Sequence, residues 1–111
     1  MVIKYAKTAG AMIYLYPRTT VDCATEMYRP AQLVPIDDNT VGETVSGSTG
    51  TVSGTYANPA IRIDGTGSGT PSGAYGSPRF RWLRIKNAEL GLQFILNQNP
   101  GVFNSQFVNC N

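Results

Sequence analysis

The segment from Arg79 to Lys86 combines aromatic and cationic side chains. If it is a strand, its side chains alternate between two faces, and aromatic rings beside cations can stack on bases and contact phosphates, as on an OB-fold surface. Single-stranded nucleic-acid binding is therefore one interpretation. The other is that Phe80 and Trp82 are core and Arg84 anchors a subunit contact. The alternation predicts Phe80, Trp82, Arg84 and Lys86 on one face and Arg79, Arg81, Leu83 and Ile85 on the other.

A second group of aromatic residues suggests a different ligand. Tyr56, Tyr75 and Trp82 could stack on sugar rings, and Asn58 or Asp64 could supply hydrogen bonds, as in a small carbohydrate-binding β-sandwich. The alternative is that these tyrosines are ordinary side chains on wet loops. The candidate interface residues are Phe80, Trp82, Arg84, Tyr56 and Tyr75.

Catalysis is disfavoured by the residue types that the sequence lacks. The chain has no histidine, so no imidazole base can activate Cys23, Cys110 or a serine. Carboxylates that could form a glycosidase pair are present in or near predicted loops, but their spacing identifies no pair, and the favoured explanation is that they belong to turns or strand ends. We expect no enzyme activity, catalytic residue, cofactor or metal site. The carboxylates are Asp37, Asp38, Glu43 and Asp64.

The two cysteines, Cys23 and Cys110, lie far apart in the sequence and form no Cys-x-x-Cys pair. A zinc finger or zinc ribbon cannot be assembled from them without histidine or further cysteines. A disulfide that ties the C-terminal tail to the first third of the chain and a pair of free thiols both fit the sequence.

A tract rich in glycine, serine and threonine, from Thr40 to Pro78, holds nine of the twelve glycines. Such a segment has little apolar surface to offset the entropy lost on ordering, so it predicts a flexible loop or arm at about residues 40–78. Thr44–Gly47 recurs as Thr51–Gly54, and its alternating Thr, Val and Ser favour a hairpin arm.

Short extended runs separated by Gly, Pro and Asn turns cover much of the rest. Asn87-Ala88 is predicted to be a hairpin turn, and Val21–Tyr28 a short helix or irregular link. The sum predicts one all-β domain over residues 1–111, a small sandwich or jelly-roll-like barrel. The predicted strands are Ala11–Tyr16, Gln32–Ile36, Ala60–Asp64, Arg79–Lys86, Glu89–Leu96 and Val102–Val108.

Charge and length indicate how such a domain is used. The net charge of +2 is too small to attract polyanions at long range. Only 14% of residues are charged, and this low fraction favours a surface covered by neighbours. A thin core in a chain of 111 residues favours oligomerisation. No segment reaches the roughly 20 apolar residues of a membrane span. We expect synthesis in the cytoplasm and no membrane partner.

A short β chain that lacks histidine, has low charge and is rich in Gly/Ser/Thr loops resembles small virion proteins of tailed bacteriophages, of the capsid cement or decoration type. The resemblance implies a non-enzymatic structural protein of the virion. Its partners would be copies of itself, in a homo-oligomer such as a trimer, and a larger lattice such as a capsid protein. Met1–Tyr5 and Thr40–Tyr56 are the candidate arms that would add to a partner's sheet.

Overall fold

The computed structural model describes residues 1–8, 10–16, 22–64, 78–95 and 101–111, and this part of the chain contains strands and no helix. The predicted all-β class is confirmed. All pairing between these strands is parallel, whereas sandwiches and jelly rolls are built from antiparallel neighbours, so the predicted sandwich or jelly-roll-like barrel is not what forms. The strands are β1 Val2–Tyr5, β2 Ile13–Leu15, β3 Asp22–Ala24, β4 Ala31–Pro35, β5 Ile61–Asp64, β6 Arg79–Arg81, β7 Leu83–Lys86, β8 Leu92–Ile95, β9 Gly101–Phe103 and β10 Gln106–Val108.

Successive strands visit three sheets in turn. The first sheet has the order β1-β4-β7-β10, the second β2-β5-β8 and the third β3-β6-β9. Each coil of the chain therefore gives one strand to each sheet, and β10 begins a fourth coil. This is a parallel β-solenoid, in which each coil contacts only the coils beside it.

The core consists of apolar side chains that stack from coil to coil. Residues in register on the first sheet are Ile3, Leu33, Ile85 and Phe107. Leu33 and Ile85 are at most 2% exposed, and each fully buried side chain of this size contributes about 1.5–3 kcal/mol. The third sheet stacks Cys23, Phe80 and Val102, and the second stacks Ile13, Ile61 and Leu92 beside Leu15, Ile63 and Phe94.

A left-handed residue separates β6 from β7. Trp82 has a φ of 57°, a conformation that side chains other than Asn and Gly rarely adopt, and it turns the chain from the third sheet into the first. Because this turn uses one residue, Phe80 and Leu83 both point inward. The predicted division of Arg79–Lys86 into two faces of one strand is therefore wrong. All four cations of the segment lie on the outside, at Arg79, Arg81, Arg84 and Lys86.

Three other local predictions also differ from the structure. Residues 22–24 form β3 instead of a helix or irregular link, because they pair with β6. Residues 44–54 contain no strand, so the hairpin arm does not form. Asn87-Ala88 is a corner, not a hairpin turn, because β7 and β8 belong to different sheets. β4 ends at Pro35, which has no N–H to donate to a neighbouring strand.

The corners lead to a test at Asn104, an exposed residue between β9 and β10 with a φ of 51°. Asn104→Val should lower the free energy of unfolding by about 1–2 kcal/mol, because a β-branched side chain is strained in the left-handed region. Asn104→Gly keeps the conformation accessible and should change stability by less than about 1 kcal/mol. Urea unfolding of both variants measures the difference. Equal stability of the two would contradict the corner geometry.

Candidate functional site

The structure separates the residues that the sequence grouped as an interface. Phe80 is 2% exposed within the core. Tyr56 is 6% exposed, and its hydroxyl donates to Asp37 Oδ2 at 2.7 Å. Tyr75 lies outside the described residues. Trp82 and Arg84 are half-buried and meet at the corner between the third and first sheets.

This corner encloses a depression of about 130 Å³. Arg84 donates from Nε to Gln106 Oε1 at 2.8 Å, so the guanidinium is held against the neighbouring strand. Ligand pockets for small molecules are usually about 300–1,000 Å³, so the depression accommodates one side chain of a partner better than a cofactor. Its lining residues are Met27, Pro30, Trp82, Leu83, Arg84, Asn104 and Gln106.

Asp38 fastens the link between β4 and β5, residues 36–60, to the outer face of the first sheet. Its Oδ2 accepts from Lys86 Nζ at 2.5 Å, and its main-chain oxygen accepts from Lys4 Nζ at 2.8 Å. Val34, which points outward between these lysines, is fully buried beneath the link. Burial of Asp38 acts to raise its pKa, but hydrogen bonds from Lys86 and Thr40 outweigh it and hold the pKa below its usual value.

Asp37 fixes the far part of the same link. It accepts from the Thr49 N–H at 2.6 Å and from the Tyr56 hydroxyl, and these bonds lower its pKa. A carboxyl group that remains ionised at neutral pH cannot act as a general acid. Through these bonds Asp37 and Asp38, two of the candidate glycosidase carboxylates, hold the link in place.

The C-terminal end of the solenoid exposes side chains from its core positions. Val102 and Phe107 stack beneath Phe80 and Ile85, yet they are 38% and 46% exposed. The main-chain oxygen of Val108 accepts from the Asn87 N–H at 2.8 Å. Because backbone groups alternate in direction along a strand, those of Phe107 point away from β7, toward the next coil position.

The N-terminal end has the opposite shape, a hollow of about 130 Å³ lined by apolar side chains. The main-chain oxygens of Met1 and Tyr5 accept from β4 and the residue after it, so the backbone groups of Val2 and Lys4 point away from β4. Met1, which borders the hollow, is 74% exposed. Residues that line it are Met1, Ile3, Ile13, Leu15, Cys23, Ala31, Leu33, Ile61, Phe80 and Leu83.

Other functional features are few in the part of the chain that the structure describes. Cys23 and Cys110 are free thiols, and burial raises the pKa of Cys23. Among the described residues, no three or more Cys, Asp or Glu side chains are grouped as metal ligands would be. The same residues include no helix long and apolar enough to cross a membrane.

Comparison with protein-family models, with curated proteins and with solved structures gives no match for this chain.

The succession of coils leaves a signal in the sequence that strand patterns by themselves do not reveal. Residues 79–88 and 101–110 lie in register and share three features. Each segment has an apolar residue, Phe80 or Val102, and a left-handed residue two positions later, Trp82 or Asn104. Each also has an Asn followed by a small residue, Asn87-Ala88 or Asn109-Cys110. This weak internal repeat marks two successive coils. The links of unequal length elsewhere obscure it.

The lowered pKa values predict an acid-dependent stability. A carboxyl group whose folded pKa lies below its unfolded value of about 3.9 stabilises the fold above that pH, and the stabilisation is lost as pH falls through the folded pKa. The Tm should therefore fall as pH is lowered from about 5 to about 2. Asp38→Asn should lower the free energy of unfolding by about 1–3 kcal/mol at neutral pH and flatten this dependence.

Glu43→Gln is the matched control, because Glu43 is an exposed carboxylate on the same link. Calorimetric scans across the pH range should give it the wild-type profile. An unchanged dependence of Tm on pH in Asp38→Asn would show that Asp38 does not cause the acid-dependent stability.

Proposed function

We propose that this chain is a non-enzymatic structural protein that assembles with copies of itself, end to end. The observation that carries the proposal is the pair of unlike solenoid ends, with exposed core residues at one and an apolar hollow at the other. Repeat proteins that remain single usually cover such ends with a polar cap. Here Val102 and Phe107 occupy that position, so a second copy is the partner we favour.

The contact would continue the stacking that already exists within each copy. All strands of one sheet run in the same direction, so β10 of one copy would meet β1 of the next in a parallel pair. Outward backbone groups of Phe107 would face those of Val2 and Lys4, and edge strands with such groups are the usual template for strand addition. Phe107 would at the same time enter the apolar hollow.

A contact between unlike ends is heterologous, so it closes into a ring or continues as a filament. A contact that continues the stacking along the solenoid axis extends as a filament, whereas the predicted trimer would need each contact to bend the axis so that three copies close a ring. The low charge and the Gly/Ser/Thr content, shared with virion decoration proteins, support placing the assembly in a bacteriophage virion, where a capsid protein lattice would be the second partner. In this proposal the free edge of β1 pairs with the partner's sheet, which is the role predicted for the Met1–Tyr5 arm.

The test uses one variant that blocks each end. Phe107→Lys places a charge at the C-terminal end and Ile13→Lys places one at the rim of the hollow, because inward-pointing charges prevent edge pairing. Wild-type mass in light scattering should rise with protein concentration, and each variant alone should remain a monomer. Mixed in equal amounts, the variants should form a discrete dimer, since each supplies one free end.

Val45→Lys is the control, because Val45 is an exposed valine on the 36–60 link that does not line the hollow, and this variant should assemble as the wild type does. Circular dichroism verifies that the variants are folded. A wild-type protein that stays monomeric at all concentrations would overturn the proposal. Self-association of Ile13→Lys alone would instead indicate a contact between two C-terminal ends.

Single-stranded nucleic acid is the second candidate, favoured by the outward position of Arg79, Arg81 and Arg84. Phe80 is buried, so the stacking platform would be limited to Trp82 and Phe103, which lies 5.6 Å from the Arg81 guanidinium. Binding of this kind would weaken steeply with salt. Fluorescence anisotropy with oligo(dT) at low and moderate salt separates it from end-to-end assembly.

A further inference from the structure

The outer face of the second sheet carries a row of polar and aromatic side chains, in contrast to the apolar ends of the solenoid. Tyr14 lies opposite Arg62 on the next strand, and Arg62 lies opposite Gln93 on the strand after that. These residues alternate with the inward-facing Ile13, Ile61 and Leu92, so they point away from the core. Tyr16 lies two positions after Tyr14, and Asp64 lies two positions after Arg62.

Two tyrosines give this face an aromatic surface. Tyr16 is 71% exposed, and its ring meets that of Tyr14 edge-on with 4.8 Å between the centroids. Tyr14 is fixed in position because its hydroxyl donates to Asp64 Oδ2 at 2.5 Å and the Arg62 guanidinium lies 5.6 Å from its ring. Tyr14 therefore supports Tyr16, whose ring has a face available for stacking.

Two polar atoms beside the tyrosines lack hydrogen-bond partners within the described residues. They are Arg62 Nε and Gln93 Oε1, and both are buried atoms. One is a donor and the other an acceptor, on adjacent strands, and leaving such groups unpaired destabilises a fold. Both side chains are partly exposed, and a change of side-chain rotamer would be needed to bring either atom to a ligand at the surface.

The charges on this face offset one another. Arg62 Nη2 lies 4.0 Å from Asp64 Oδ2, so an anionic ligand would meet no uncompensated cation there. A ligand that suits the face has an apolar side to stack on Tyr16 and hydroxyl groups that both donate and accept. Sugar rings combine these two properties.

We propose that the outer face of the second sheet binds neutral oligosaccharides. Tyr16 stacks on the apolar side of a sugar ring, while Arg62 Nε donates to one hydroxyl and Gln93 Oε1 accepts from another. The site differs from the predicted sugar-binding set, because Tyr56 is buried and Trp82 lies at another corner. Its side chains point away from the core, whereas the assembly contact uses inward-facing residues at the two ends, such as Ile13 and Phe107.

The test is migration in native gels that contain a neutral soluble polysaccharide: galactomannan, hydroxyethyl cellulose, amylopectin or dextran. At least one should retard the wild-type protein relative to a gel without polysaccharide. Tyr16→Ala should weaken that retardation about fivefold or more, as loss of a central aromatic contact does. Gln93→Leu should weaken it as well, because the acceptor is removed.

Tyr28→Ala is the matched control, since Tyr28 is a tyrosine 89% exposed on the loop between β3 and β4, and it should migrate as the wild type does. Phe107→Lys should also be retarded normally, which separates this site from the assembly contact. Absence of retardation in all four gels would overturn the proposal. Equal loss in Tyr28→Ala, or retardation only by dextran sulfate and only at low salt, would overturn it too.

Discussion

Parallel stacking in register is the constraint on which the rest of this structure depends. Each coil must place an apolar side chain beside the one in the coil before it, because the backbone hydrogen bonds fix which residues lie opposite one another. Leu33 and Ile85 are buried through this stacking, with neighbours on both sides. The interior is therefore a set of ladders, and the coil links are free to differ in length.

The same constraint explains how the long link from residue 36 to 60 is accommodated. It leaves the core unchanged and lies over the outer face of the first sheet, where Asp38 contacts Lys4 and Lys86 from two different coils. Val34 is buried by it on the side of the sheet that would otherwise face water. The link thus ties successive coils together from outside, in addition to the hydrogen bonds between their strands.

Ends and sides of a solenoid have different physical properties, and the two proposals follow this division. At the ends, stacking stops, so core residues such as Phe107 are exposed and backbone groups of the last strand point outward. Along the sides, backbone groups are paired and only side chains vary, so Tyr16, Arg62 and Gln93 can be arranged for recognition without altering the fold.

The sequence by itself determined most of the strands, although it did not indicate β3. Alternating apolar and polar residues with β-branched and aromatic side chains indicated extended runs at Ala60–Asp64, where β5 forms, and at Arg79–Lys86, where β6 and β7 form. Side-chain direction in a strand depends only on local geometry. The tertiary structure alone decided which strands are neighbours. A period of two is the same for a strand that pairs with its successor in a hairpin and for one that pairs with the next coil. Trp82 shows the limit most clearly, since its left-handed backbone is imposed by the need to close a coil, and it reverses the faces that local alternation assigns.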